Sequence, residues 1–267
     1  MQLSLDCLTM TDTPPVELIE CAGKAGFDAV TVWTNPPSQY PRQVMTPAML
    51  GDCLAALDAT GVKVHSAEAF DLASAEAIES YRPGFELAAK LGAKAALTYH
   101  LDGPDGDEAA DLLALMVEVA GEYGLGINLE PISMGKTRTL TEAGALVRAS
   151  GSNAGICFDT LHLMRSGGSP SDVDAIDTSL IRHIQINDGL AELTEEEALV
   201  EASGERLFPG QGAFPLDDLL RNVPRDIPWG IEVPSVRSMA SGTPPSDYAR
   251  DCMAAMLGLL GRMGPER

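Results

Sequence analysis

The sequence predicts a single domain over residues 1–267, an α/β fold in which eight parallel strands close into a (β/α)8 TIM barrel. Three observations carry this. Short apolar runs alternate with amphipathic segments eight times along the chain, with short connections between them. Alternating strand and helix units give a parallel sheet with right-handed crossovers. Eight such units in 267 residues suit a closed barrel, which takes roughly 250 residues. No Gly-rich dinucleotide fingerprint follows the first run, which argues against a doubly wound sheet.

Taken in order, residues 3–7 read as the first strand and 14–26 as a helix, with Thr13 as its cap and Gly26 as its stop. Residues 29–33 are the second strand, followed by a Pro-rich loop over 35–41. Residues 45–60 read as a helix entered through Thr46-Pro47 and closed by Gly61. The third strand covers 62–65, and a long helix is expected over 73–91, where Pro83 breaks or kinks it. Strand four (95–99) leads to a helix over 107–123, and strand five (125–129) to a short one over 141–149. Strand six covers 154–158, a helical turn 171–176, and strand seven 181–186. The polar stretch 192–204, with the run Glu195-Glu-Glu, reads as a solvated helix or a lid. A helix over 215–222, strand eight over 228–231 and a helix over 246–262 close the chain.

Bulk composition narrows the functions. A net charge of −21 and a pI near 4.4 repel phosphate backbones, so nucleic acid is not an expected partner. No apolar run approaches the roughly 20 residues needed to cross a bilayer, so no membrane partner is expected. The chain opens directly on a strand with no signal-peptide pattern, and a cytoplasmic location is expected. The five cysteines are scattered without a CxxC pair and read as reduced core residues. A homo-oligomer is neither required nor excluded.

The chemistry gathers at strand ends. Strands five to eight each finish on a side chain able to bind a metal: Glu130, Asp159, Gln185 and Glu232. Side chains at the C-terminal ends of barrel strands share one mouth, where catalysis sits in this architecture. The spacings of 29, 26 and 47 residues are each about one βα unit, the last lengthened by the 192–204 insertion. A strand-end acid can simply cap the following helix, but four in register argue for a site. Three carboxylates converging there repel one another unless a cation neutralises them. Oxygen ligands of this kind suit Mg²⁺ or Mn²⁺, with Co²⁺ tolerated.

His65 and His100 end strands three and four and are expected to face the mouth as substrate-binding or acid–base groups. His183 alternates with Gln185 on one strand, so it points the same way one layer deeper, which reads as a core position. Trp33 and Tyr99 are expected in an apolar wall or in ordinary core packing. Glu68 and Arg237 lie just beyond strands three and eight, within reach of a substrate.

Several motifs resemble the xylose-isomerase-like, AP-endonuclease-2 superfamily of sugar isomerases, epimerases and related lyases, over nearly the whole chain. They are Ala25-Gly-Phe-Asp-Ala-Val-Thr-Val-Trp33, Leu129-Glu-Pro131, Phe158-Asp-Thr-Leu-His162, His183-Ile-Gln-Ile-Asn-Asp188, Arg206-Leu-Phe-Pro-Gly-Gln-Gly212 and Ile231-Glu-Val233. The resemblance implies that Glu130, Asp159, Gln185 and Glu232 bind one divalent ion (Mn²⁺, Mg²⁺ or Co²⁺). It further implies that His162 and Arg206 contact substrate, and that Glu130 and Glu232 are the catalytic base and returning acid. The implied reaction is isomerisation or epimerisation of a small polyhydroxylated ketone or keto-sugar through a metal-stabilised enolate. One departure matters: ketose epimerases of this superfamily usually carry His where this chain has Gln185. Gln there is more similar to the 3-dehydroshikimate dehydratases, so a dehydratase of that or the inosose type stands as the alternative. A barrel that keeps the fold and only binds sugar, or regulates, is the reading from a different class.

Overall fold

The computed structural model describes residues 1–35 and 42–264. The strands are β1 (Gln2–Leu5), β2 (Ala29–Trp33), β3 (Lys63–Asp71), β4 (Ala95–Tyr99), β5 (Gly126–Glu130), β6 (Gly155–Asp159), β7 (Ile181–Ile186) and β8 (Pro228–Ile231). They pair in parallel in chain order, and β8 returns to β1 to close the barrel. Outside them lie α1 (Pro15–Ala25), α2 (Leu50–Thr60), α3 (Ala75–Ser80), α4 (Arg82–Lys90), α5 (Gly106–Gly121) and α6 (Leu140–Ala149). The second half carries α7 (Thr160–Arg165), α8 (Pro170–Ala175), α9 (Glu195–Gly204), α10 (Leu216–Leu219), α11 (Val236–Ala240) and α12 (Pro245–Met263). No helix among the described residues is long and apolar enough to cross a membrane.

The strands' period of two sorts their side chains. Ile127 and Leu129, Ile156 and Phe158, and Ile184 and Ile186 are buried in the hydrophobic core between sheet and helices. The alternate positions, Glu130, Cys157 and Asp159, and His183 and Gln185, are left to face inward. Register then fixes which of them meet: Asp159 pairs with Gln185 and Cys157 with His183 across β6 and β7.

Local chemistry accounts for most element ends. Gly26 closes α1 at φ 92°, a conformation that costs a residue with Cβ. Thr139 and Glu142 form a reciprocal capping box on α6, and Thr194 and Glu197 do the same on α9. The helix expected over 73–91 is two helices meeting at Tyr81. Pro83 falls in the first turn of α4, where its missing N–H costs nothing, so it starts a helix rather than kinking one.

Other expectations need correcting. Thr13 does not cap α1: the chain enters through Pro14, which has an extended backbone and makes no side-chain cap. The third strand is longer than the apolar run 62–65, because pairing with β2 and β4 carries it on to Asp71. Residues 47–49 form a 3-10 turn before α2. Past Asn35, the Pro-rich loop lies outside the described residues.

Candidate active site in the barrel mouth

A cavity of about 420 Å³ opens at the C-terminal ends of the strands. Its polar lining is Glu68, Glu130, His162, Gln185, Arg206 and Glu232, and Trp33 and Tyr99 stand in its wall with Leu and Ile side chains. Four of the sequence-predicted ligands and contacts (Glu130, His162, Arg206 and Glu232) thus share one pocket, with Gln185 at its floor.

Asp159 sits just beneath, 1% exposed. Its Oδ1 accepts the backbone N–H of Leu161 at 2.7 Å and the Asn187 Nδ2 amide at 2.9 Å, while Oδ2 accepts from Arg206 Nη1 at 2.8 Å. It caps the short α7 through Oδ1 and turns Oδ2 to Arg206. Arg206 Nη1 also donates to Glu232 Oε2 at 2.7 Å, and Gln185 Nε2 to Glu232 Oε1 at 2.8 Å. Arg206 is carried in by the segment after α9. Leu207 and Asp188 exchange backbone hydrogen bonds, and the Asp188 carboxylate accepts N–H groups from Gly189, Gly210 and Phe214.

One cation faces three buried carboxyls, and their titration follows. Burial pushes Asp159 up, but the Arg206 charge, with hydrogen bonds from Asn187 and the Leu161 N–H, helps hold the group below the usual carboxylate range. Burial, reinforced by the charge of Asp159, drives Glu130 well above that range. Glu232 is raised in the same way, with Arg206 only partly compensating. Burial lowers His162 to about 4, so its ring is neutral and can act as a ligand. Its Nδ1 lies 3.2 Å from Ser133 Oγ, which fixes the ring with Nε2 turned 3.8 Å from Glu130 Oε1.

Ligand atoms of Glu130, Asp159 and His162 lie within 4.8 Å of one another. Three carboxylates, an imidazole and the Gln185 amide make a donor set that fits a divalent ion. His162, expected as a substrate contact, lies among these potential ligand atoms. Glu232 and Gln185 lie at the strand ends, where Glu232 accepts hydrogen bonds from both Arg206 and Gln185.

The remaining expectations divide. His65 does not line the cavity; it lies below the floor beside His183, ring centroids 4.4 Å apart. His100 sits behind the wall with Nδ1 3.0 Å from Thr137 Oγ1. Arg237 is at the surface, its side chain 86% exposed and 3.8 Å from Glu205. Glu68 is in the pocket: burial, then the charge of Asp6, raise its carboxyl to about 7, and its Oε1 has no hydrogen-bond partner among the described residues. Leu199, Ala202 and Ser203 of α9 line the cavity, so the 192–204 insertion covers the mouth. It is anchored by Arg165, which donates to both oxygens of Glu201 at 2.6 and 2.7 Å. Asp6 and Asn187 escaped the sequence reading, although Asp6 follows an apolar run just as the predicted ligands do.

A family model described as a xylose isomerase-like TIM barrel matches residues 19–256. Among solved structures, the IolI protein with a bound zinc atom superposes with a TM-score of 0.81 at 17% identity, covering 100% of both chains. The D-allulose 3-epimerase of Methylomonas sp. in complex with D-allulose gives 0.72 at 16%, over 99% of this chain and 97% of that one. The probable 3-DHS dehydratase AsbF of Bacillus anthracis gives 0.75 at 16%, over 96% and 99%. The chain also spans 43% of the length of a xylose isomerase-like TIM barrel/4-hydroxyphenylpyruvate dioxygenase fusion protein, at 22% identity, TM-score 0.82 and 98% coverage of this chain. At such identities the likeness shows the fold. No match is found among curated proteins.

Proposed function

The chain belongs to the xylose isomerase-like TIM barrel family, and from that premise we propose a divalent-metal-dependent isomerase or epimerase of a small, uncharged, polyhydroxylated ketone. One observation carries the reading: Glu130 and Glu232, three strands apart around the barrel, converge on a single cavity. A bound divalent ion (Mn²⁺, Mg²⁺ or Co²⁺) would be held by Glu130, Asp159, Gln185 and Glu232, with His162 beside them, and would supply Lewis acidity at a carbonyl oxygen. The chain's own residues then move the proton. One of Glu130 and Glu232 removes hydrogen from the carbon next to the carbonyl, and the other returns one from the opposite side. Burial that keeps both carboxyls poised toward protonation suits this exchange. Glu68, raised to about 7 and with Oε1 unpartnered among the described residues, offers a hydrogen bond to a substrate hydroxyl. The apolar wall and α9 keep bulk water away.

Charge favours a neutral substrate. Arg206 is the only cation lining the cavity among the described residues, and two carboxylates already engage it. Elimination is the second reading, and Gln185 at the end of β7 favours it. A carboxylate-bearing substrate such as 3-dehydroshikimate would have to draw Arg206 from its partners.

The test incubates keto-sugars, inososes and 3-dehydroshikimate with metal-replete protein in D₂O and follows them by NMR. Deuterium at an inverted carbon next to the carbonyl is expected. Loss of that hydrogen together with the β-hydroxyl, giving a more conjugated product (an aromatic ring from 3-dehydroshikimate), would select elimination. No exchange in any of these ketones would refute proton abstraction at this site and leave a binding module.

A further inference from the structure

Below the cavity floor, three side chains from distant strands meet. Asp6 follows β1, His65 is in β3 and His183 in β7. All are buried, at 0%, 7% and 1% exposure. Asp6 Oδ2 lies 3.1 Å from His183 Nε2, and Asp6 Oδ1 lies 3.8 Å from His65 Nε2. Among the described residues, Asp6 Oδ2, His65 Nε2 and His183 Nε2 have no hydrogen-bond partner. A buried polar atom left unpaired is costly, so three together at one point demand a shared partner. A proton between Asp6 and His183 would serve two of them and leave His65 Nε2 orphaned. A cation at their centre serves all three.

From this geometry we propose that Asp6, His65 and His183 form a second metal site, separate from the mouth, for Zn²⁺ or a similar borderline divalent ion. Two imidazole nitrogens and one carboxylate oxygen are the ligand types such ions prefer, with bonds of roughly 2.0–2.2 Å. Donor atoms 3.1 and 3.8 Å apart are close enough to share an ion at such bond lengths. The supporting contacts are also in place. Ser4 Oγ donates to Asp6 Oδ1 at 2.6 Å, and Cys157 Sγ lies 3.4 Å from His183 Nδ1. Engaging the far side of a ligand in this way fixes its orientation toward a metal. Gly230 on β8 completes the cradle, since a Cβ there would collide with the Asp6 carboxylate. The bound ion ties β1, β3 and β7 together across the barrel interior and has no contact with substrate.

Two measurements test this without relying on activity. Chelator-treated protein is reloaded with Co²⁺, and the bound metal is counted per chain by mass spectrometry. An ion that is lost in His65→Leu and in Asp6→Asn but kept in Glu130→Gln is the expected result. An unchanged count in His65→Leu, or loss of all bound metal in Glu130→Gln, would overturn the proposal. Should the deep-site variants fail to fold, wild-type protein labelled with ¹⁵N-histidine and loaded with ¹¹³Cd²⁺ decides. A cadmium resonance coupled to two imidazole nitrogens supports the site, and its absence refutes it. Failure of the mouth to bind metal would leave this result standing, so the two assignments are separable.

Discussion

Arg206→Met is the most informative perturbation of the mouth. Arg206 Nη1 lies 2.8 Å from Asp159 Oδ2 and 2.7 Å from Glu232 Oε2, with all three groups buried. Methionine keeps the length of the side chain and removes the charge. Removing one partner of a buried ion pair typically costs about 3–5 kcal/mol, because the other charge stays buried without compensation. At roughly 2–4 °C per kcal/mol for a chain of this size, melting should fall by about 6–20 °C in EDTA. The pH dependence has a definite sign. Losing Arg206 raises the folded-state pKa of Asp159, so the stability penalty appears as pH rises through that raised value and shrinks at mildly acidic pH, where the group is protonated. A saturating divalent ion should replace the missing cation: at 1,000 times its Kd it adds about 4.1 kcal/mol. Mn²⁺ should therefore raise the variant's melting temperature more than that of the wild type, in which Arg206 competes for the same oxygens. Thermal unfolding monitored by circular dichroism, with EDTA or Mn²⁺, reads both effects. A variant within 1 kcal/mol of wild type in EDTA, or one that Mn²⁺ fails to rescue, would refute this electrostatic account of the site.

Three further outcomes are expected. Glu130→Gln and Glu232→Gln should each lower turnover of a verified substrate by about 10² or more with circular dichroism unchanged; near-native turnover in either variant would remove it from the proton-transfer pair. Because burial and neighbouring charge hold protons on Glu130 and Glu232, divalent-ion binding at neutral pH should release protons and tighten as pH rises. Calorimetry in two buffers of different ionisation enthalpy measures this, and identical apparent enthalpies would contradict it. Burial raises the thiols of all five cysteines, so folded protein should resist iodoacetamide at mildly alkaline pH, and rapid labelling detected by mass spectrometry would show a thiol more open than its surroundings imply.

The alternation of apolar runs and amphipathic segments is a local property, written wherever a strand must be buried on both faces and a helix on one, and it specified the closed eight-stranded barrel. Strand-end position is equally local. Once the barrel is known, the strand ends carrying Glu130, Asp159, Gln185 and Glu232 must rise toward one mouth; Glu130, Gln185 and Glu232 line the cavity and Asp159 lies just beneath it. What no local pattern could decide is how side chains from distant strands share space and charge. Arg206, 47 residues beyond Asp159 and 26 before Glu232, bridges the two only because the Asp188–Leu207 pairing folds its segment back over the mouth. His65 and His100 have the same sequence credentials, yet register and loop packing put one beneath the floor beside His183 and the other behind the wall with Thr137. Asp6 reads as an unremarkable strand-end acid until closure of β8 onto β1 and the crossing of β3 and β7 bring two imidazoles to it. Sequence fixes each residue's strand and face; burial, register and closure decide its neighbours, and neighbours set its charge.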